Sequence, residues 1–145
     1  MERRRTQTLP ARPLVLIVDG HDGMSALYAL ALSAGGFDVV PASVRETSYP
    51  LAIATRPDII VTDVAHLQSA DWSFVQDLKR EPRTRAIPVV ILTDSDEPAM
   101  RERAAREGCA ALFVKPFPLE HLIFGLRELA GRHVPDEHAP VRVRR

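Results

Sequence analysis

The chain has one cysteine in 145 residues, Cys109, so no intrachain disulfide can form. A lone thiol suits a reducing compartment. Charge of one sign is lacking too: 19 Lys and Arg balance 19 Asp and Glu. No overall field therefore draws the chain to nucleic acid or to an anionic membrane. No apolar run approaches the ~20 residues needed to cross a bilayer. The Arg-rich start (MERRR) followed by LVLIV at 14–18 has the order of a secretory signal, but that stretch is too short and Asp19 ends it. No internal repeat, GxSxG, P-loop or Cys/His nucleophile pattern is present. The composition predicts a soluble, cytoplasmic protein of bacterial style, with no membrane or nucleic-acid partner. The basic ends, MERRR and VRVRR, read as solvated arms.

What is there has a rhythm. LVLIV at 14–18 is a short, fully apolar strand. A helical pattern over 24–34 carries Leu27, Leu30 and Ala31 on one face and stops at Gly35-Gly36. A strand follows at 37–40. Pro50 interrupts the next helical span, and proline is tolerated in a first turn, so that helix is expected to start near 48–50 and run to Thr55. Strands are expected at 58–62, ending at Asp63, then at 87–92 and 111–114. Helices are expected at 69–80, 97–107 and 118–130. The strands are apolar throughout rather than alternating, as strands of a parallel sheet covered on both faces are. The fold class predicted is a single doubly wound, five-stranded parallel α/β domain of flavodoxin-like type, over 13–131. Residues 1–12 are expected to form a flexible arm and 132–145 a disordered tail.

Ligands of such sheets sit beyond the carboxyl ends of the strands. There the chain places Asp19-Gly20-His21-Asp22, Asp63, Thr93-Asp94 and Lys115-Pro116. A carboxylate can attack phosphorus. Mg²⁺, an oxygen-seeking ion, would offset the developing charge. A hydroxyl and an ammonium can hold the phosphoryl oxygens.

VLIVD at 15–19, GFDVVPA at 36–42, RPDIIVTD at 56–63, IPVVILT at 87–93 and FVKPF at 113–117 together resemble the response-regulator receiver domains of two-component signalling. The resemblance covers roughly 14–129. It implies the (βα)5 receiver fold, Asp63 as phospho-acceptor, Thr93 as switch hydroxyl and Lys115 as the phosphate-contacting lysine. It implies Mg²⁺ held by Asp19 and Asp63, and a phosphohistidine donor on a sensor histidine kinase or phosphotransfer protein. It also implies signalling through a protein partner, by the face of the fourth helix, fifth strand and fifth helix. Receiver domains assist only their own phosphorylation and dephosphorylation, so a signalling module rather than an enzyme is expected. With only residues 132–145 after the last helix, a stand-alone domain is expected; pairing of two copies is left open.

The chain departs from the family pattern at several points. Gly20 stands where a second acid usually touches the metal, which predicts weak Mg²⁺ binding. Asp22 either compensates or, as we prefer, caps the first helix. His66-Leu67 and Ala70-Asp71 replace the family's Met-Pro and Asp-Gly, and Asp71 reads as a helix cap or a displaced acid. Asp94 follows Thr93 where a small residue is preferred; Asp94 or Asp96 could cap the fourth helix. Leu112 stands at the aromatic switch position, and Phe113 reads as core. The second reading is thus a degenerate receiver that docks a partner without phosphorylation. Plainer still, Asp63 is a surface acid at a strand end; the register of Thr93 and Lys115 favours the acceptor.

A distant alternative starts from Asp19-Gly20-His21-Asp22-Gly23, which resembles the cobalt-ligating loop of cobalamin-binding domains, with His21 as ligand and Asp19 behind it. The glycine falls one residue early, the later Ser and Gly-Gly positions are not matched, and Lys115 has no task there. His21 reads more simply as a solvent-facing loop residue. His66, His121, His133 and His138 show no ligand spacing.

Overall fold

The structure is a computed structural model, and it describes residues 12–18, 23–42 and 45–132. Strands and helices alternate strictly: β1 (Leu14–Val18), α1 (Ser25–Ala34), β2 (Asp38–Ala42), α2 (Arg45–Thr55), β3 (Ile59–Asp63), α3 (Asp71–Arg80), β4 (Val89–Thr93), α4 (Pro98–Arg106), β5 (Ala111–Val114) and α5 (Leu119–Arg132). All strand pairs are parallel, in the order β2-β1-β3-β4-β5. This is the doubly wound sheet expected from the apolar runs. The strand order reverses between β1 and β3, which opens a crevice at their carboxyl ends.

Alternate strand residues feed two cores. Leu16, Ile60 and Ile91 pack with Trp72, Val75, Leu78 and Met100 on the α3–α4 side. Val15, Ile17, Val61 and Leu92 pack with Tyr28, Leu32, Leu122 and Leu126 on the α1–α5 side. Because β3 and β4 are covered on both faces, every position in Val89–Thr93 is buried, and the sequence there shows no polar alternation. β2 is an edge strand, exposed at Asp38 and Pro41, half-buried at Val39 and Val40 and buried only at Ala42. Proline lacks the ladder donor and is tolerated at such an edge.

Several boundaries differ from expectation. α2 begins at Arg45 rather than near 48–50, and Pro50 lies inside it. The proline forfeits one helical hydrogen bond, yet its fixed φ is helical. Its ring is exposed, while Ser48 and Ala52 are fully buried and anchor the helix. β2 runs on through Pro41 to Ala42, and Phe37 lies ahead of it as a buried core residue. β3 takes in Asp63 and begins at Ile59; Asp58 leads into it, its N–H donating to the Leu14 carbonyl at 2.8 Å and its carboxylate accepting from the Leu14 N–H at 2.7 Å. β4 starts after Pro88 and includes Thr93. α5 passes Gly131 and ends at Arg132, one residue beyond the expected domain edge.

Helix caps also differ. α4 is preceded by Glu97, with no side-chain cap, so neither Asp94 nor Asp96 caps it. α3 has Ala70 at its cap position, and Asp71 is its first residue. Ser69 makes the local turn instead: its hydroxyl donates to Asp71 Oδ2 at 2.8 Å. α1 starts after Met24, which makes no side-chain cap bond; Asp22, the expected cap, lies outside the described residues. Gly36 (φ 105°) and Gly108 (φ 83°) take the left-handed turns that follow α1 and α4. The expected arm (1–11 of it) and tail (133–145) also fall outside the described residues. No described helix is long and apolar enough to cross a membrane.

Candidate functional site

The sheet register builds the site. Asp63, the last residue of β3, pairs with Leu92, so Thr93 is one step further along the rim. Thr93 pairs with Val114, so Lys115 is one step beyond that. The Lys115 N–H donates to the Thr93 carbonyl at 2.8 Å, and the Val64 N–H to the Leu92 carbonyl at 2.9 Å. Three residues far apart in sequence are thereby brought to one edge. The Lys115–Pro116 peptide bond is cis.

Lys115 Nζ lies 2.7 Å from Asp63 Oδ1, and the two side chains are 14% and 13% exposed. The length is that of a charge-assisted bond. Such a pair is costly to desolvate and costlier to break, because the survivor keeps an uncompensated charge. Thr93 is 1% exposed. Its hydroxyl donates to the Ala65 carbonyl at 3.3 Å and accepts from the Ser95 N–H at 3.2 Å. Two of the three residues predicted for phosphoryl chemistry therefore touch, while the third is turned to the loop after β3.

Asp19, Gly20, His21 and Asp22 lie outside the described residues; β1 ends just before them, with Val18 opposite Thr62. Among the described residues no cluster of three or more His, Cys, Asp or Glu could hold a metal ion. At the rim the Asp63 carboxylate is a hard oxygen donor, the kind Mg²⁺ takes singly or in pairs. Asp94 is exposed beside Thr93, and His66 is exposed in the loop after β3, its Nδ1 accepting from the Gln68 N–H. Leu112 packs against the α3–α4 core. Phe113 is in the opposite core, as expected, with its ring 5.4 Å from Phe117, which stacks in turn on Tyr28 at 6.2 Å.

Two features of the site had no signal in sequence. The Ala65 carbonyl, which occupies Thr93, is a backbone group that any residue would supply. Arg103, in a helix rich in Arg and Glu, reaches the Leu67 carbonyl of the same loop at 3.3 Å.

The model of the response regulator receiver domain matches residues 15–127. Among curated proteins the chain is 29% identical over 120 residues to the DNA-binding dual master transcriptional regulator RpaA of Synechocystis, covering 83% of this chain and 50% of that protein. It is 26% identical over 130 residues to the phosphate regulon regulatory protein PhoB of Pseudomonas aeruginosa, covering 89% and 57%. The chain thus spans about half the length of these curated relatives. Among solved structures, the chemotaxis protein CheY4 of Vibrio cholerae superposes with a TM-score of 0.74 at 24% identity, over 82% of this chain and 99% of that one. The receiver domain of a Pseudomonas aeruginosa sensor histidine kinase, solved with a magnesium ion coordinated in its active-site cleft, gives 0.72 at 21%, over 83% and 99%. The fold agrees with the family match over 15–127, which defines the class as a receiver of two-component signalling. The chain belongs to the response regulator receiver domain family.

Proposed function

We propose that this receiver accepts a phosphoryl group on Asp63 from a phosphohistidine on a sensor kinase or phosphotransfer protein, and signals by binding a protein partner. The observation that carries this reading is the 2.7 Å contact between Lys115 and Asp63 at the carboxyl edge of the sheet. An Asp63 oxygen attacks phosphorus, the P–N bond to the donor breaks, and the donor imidazole leaves with the electron pair. The Lys115 ammonium is placed to follow the charge onto a phosphoryl oxygen. Thr93 can donate its hydroxyl to another after leaving the Ala65 carbonyl. Asp63 and Asp19, with Asp22 as a further candidate, are the groups that would hold Mg²⁺. The ion when bound offsets phosphoryl charge, and binding is weak because Gly20 carries no carboxylate.

Transfer from a kinase of this class takes place in the cytoplasm, where the receiver is assigned. The outgoing face is that of α4, β5 and α5. A phosphorylation-independent docking module is the second reading, favoured by the exposed Asp94 beside Thr93, whose charge opposes a phosphoryl group. The cobalamin reading has no use for the Lys115–Asp63 pair, and its ligand His21 is outside the described residues.

The test is intact mass after incubation with Mg²⁺ and acetyl phosphate, beside Asp63→Asn. One phosphoryl adduct is expected on the wild type and none on the variant. No adduct on the wild type at high Mg²⁺, or one that persists in the variant, refutes Asp63 as acceptor.

A further inference from the structure

α3 and α4 are joined by a half-buried polar cluster that the acceptor chemistry does not use. The Arg103 guanidinium lies 4.8 Å over the Trp72 ring. Arg103 Nε donates to Glu107 Oε2 at 2.8 Å, and Gln76 Nε2 donates to the same oxygen at 3.1 Å. Arg103 Nη1 donates to the Leu67 carbonyl at 3.3 Å. Trp72 is 2% exposed, and its indole N–H has no hydrogen-bond partner among the described residues. A buried donor without an acceptor is a cost that phenylalanine would not carry. What the indole offers in exchange is the strongest aromatic face for a cation.

The loop 64–70 links this cluster to the acceptor. It receives the Thr93 hydroxyl at Ala65 and the Arg103 guanidinium at Leu67. A hydroxyl has one proton to donate, so Thr93 cannot serve a phosphoryl oxygen and Ala65 at once. Releasing Ala65 removes one of these two side-chain tethers and leaves that of Arg103, beside the backbone bond of Val64 to Leu92. β5 offers no aromatic lever for the same event, since Leu112 is aliphatic and packed against the core.

We propose that Arg103 couples the acceptor site to α4, sensing the loop 64–70 through the Leu67 carbonyl and passing its displacement to α4 and the Trp72 ring. This rests on reading Asp63 as the acceptor. Arg103 acts through the loop and is a positioning residue. Its planar fork meets Glu107, Leu67 and the Trp72 face together, which the single point charge of lysine cannot do.

Trp72 is the only tryptophan, so its emission reports on this cluster directly. The full chain is treated with Mg²⁺ and acetyl phosphate, with intact mass and emission followed together in wild type, Arg103→Met and Arg103→Lys. The adduct is expected in all three. Emission shifts as the adduct builds in the wild type; the shift is lost in Arg103→Met and partly restored in Arg103→Lys. An Arg103→Met protein that carries the adduct and keeps the wild-type shift overturns the proposal.

A second arm needs no phosphodonor. Thr93→Val deletes the Ala65 bond and is expected to shift Trp72 emission in the wild-type background but not with Arg103→Met. Equal shifts in both backgrounds overturn the coupling. Absence of the adduct everywhere refutes the acceptor reading, while the Thr93→Val arm still decides the coupling. Should Arg103→Met fail to fold, Arg103→Gln, which keeps a polar side chain but has no guanidinium to span Glu107, the Trp72 face and the Leu67 carbonyl, takes its place in both arms.

Discussion

Replacing Lys115 by methionine leaves the Asp63 carboxylate, only 13% exposed, without its ammonium at 2.7 Å. Two unit charges at that distance attract by about 6 kcal/mol at an effective dielectric constant of ~20. Desolvation of both groups cancels much of that. Breaking a fully buried pair costs about 3–5 kcal/mol, and breaking an exposed one about 0–1. A pair at the present depth belongs between these limits, so Lys115→Met is expected to destabilise the fold by about 2–3 kcal/mol. The loss comes mainly from the stranded carboxylate, not from the missing lysine. Asp63→Asn added to Lys115→Met should therefore recover most of it, giving a coupling energy of about 2 kcal/mol. The assay is urea denaturation in chelator, read by Trp72 emission, on the wild type, both single variants and the double. A Lys115→Met protein within about 0.5 kcal/mol of wild type, or a double variant no more stable than Lys115→Met, refutes the reasoning.

Two further predictions concern groups away from the acceptor. A Cβ at Gly125 would sit 2.8 Å from Phe113 Cζ. Gly125→Ala should gain ~1 kcal/mol of helix propensity, lose about 1–3 to the clash, and melt a few degrees lower; a melting temperature at or above wild type shows that the ring yields freely. Burial pushes the Cys109 thiol up to about 11 from 9.0. Its thiolate fraction at pH 8 is then about a hundredfold below that of a free thiol, and alkylation of the folded protein should be correspondingly slow. Because the folded value is the higher one, Cys109's contribution to stability is complete below pH 9.0 and is lost as pH rises to about 11. Rapid alkylation at pH 8 under native conditions contradicts this.

The readable parts of the fold were those set by short-range chemistry. Leu14–Val18 and Ala111–Val114 are apolar runs with no other stable use than a covered strand, and both were found at their expected bounds. Gly35 and Gly36 stop α1 as glycines do after a helix. Pro50 misled because a local rule was overruled: one lost hydrogen bond is outweighed by the burial of Ser48 and Ala52 on the inner face of α2. Asp71, Asp94 and Asp96 misled as caps for a related reason. Each is a good capping residue, but where α3 and α4 begin is decided by the loops that lead into them, and Ala70 and Glu97 occupy the cap positions.

From sequence alone came the five-strand rhythm, the three rim residues and the family, because hydrophobic period and the residue types at strand ends are local properties of the chain. The tertiary structure alone decided that Lys115 is bonded to Asp63, that Thr93 is turned to Ala65, and that Arg103 joins α4 to the loop after β3. These contacts depend on sheet register and helix docking over tens of residues, and two of the three end on backbone carbonyls, which every residue carries and no sequence pattern marks.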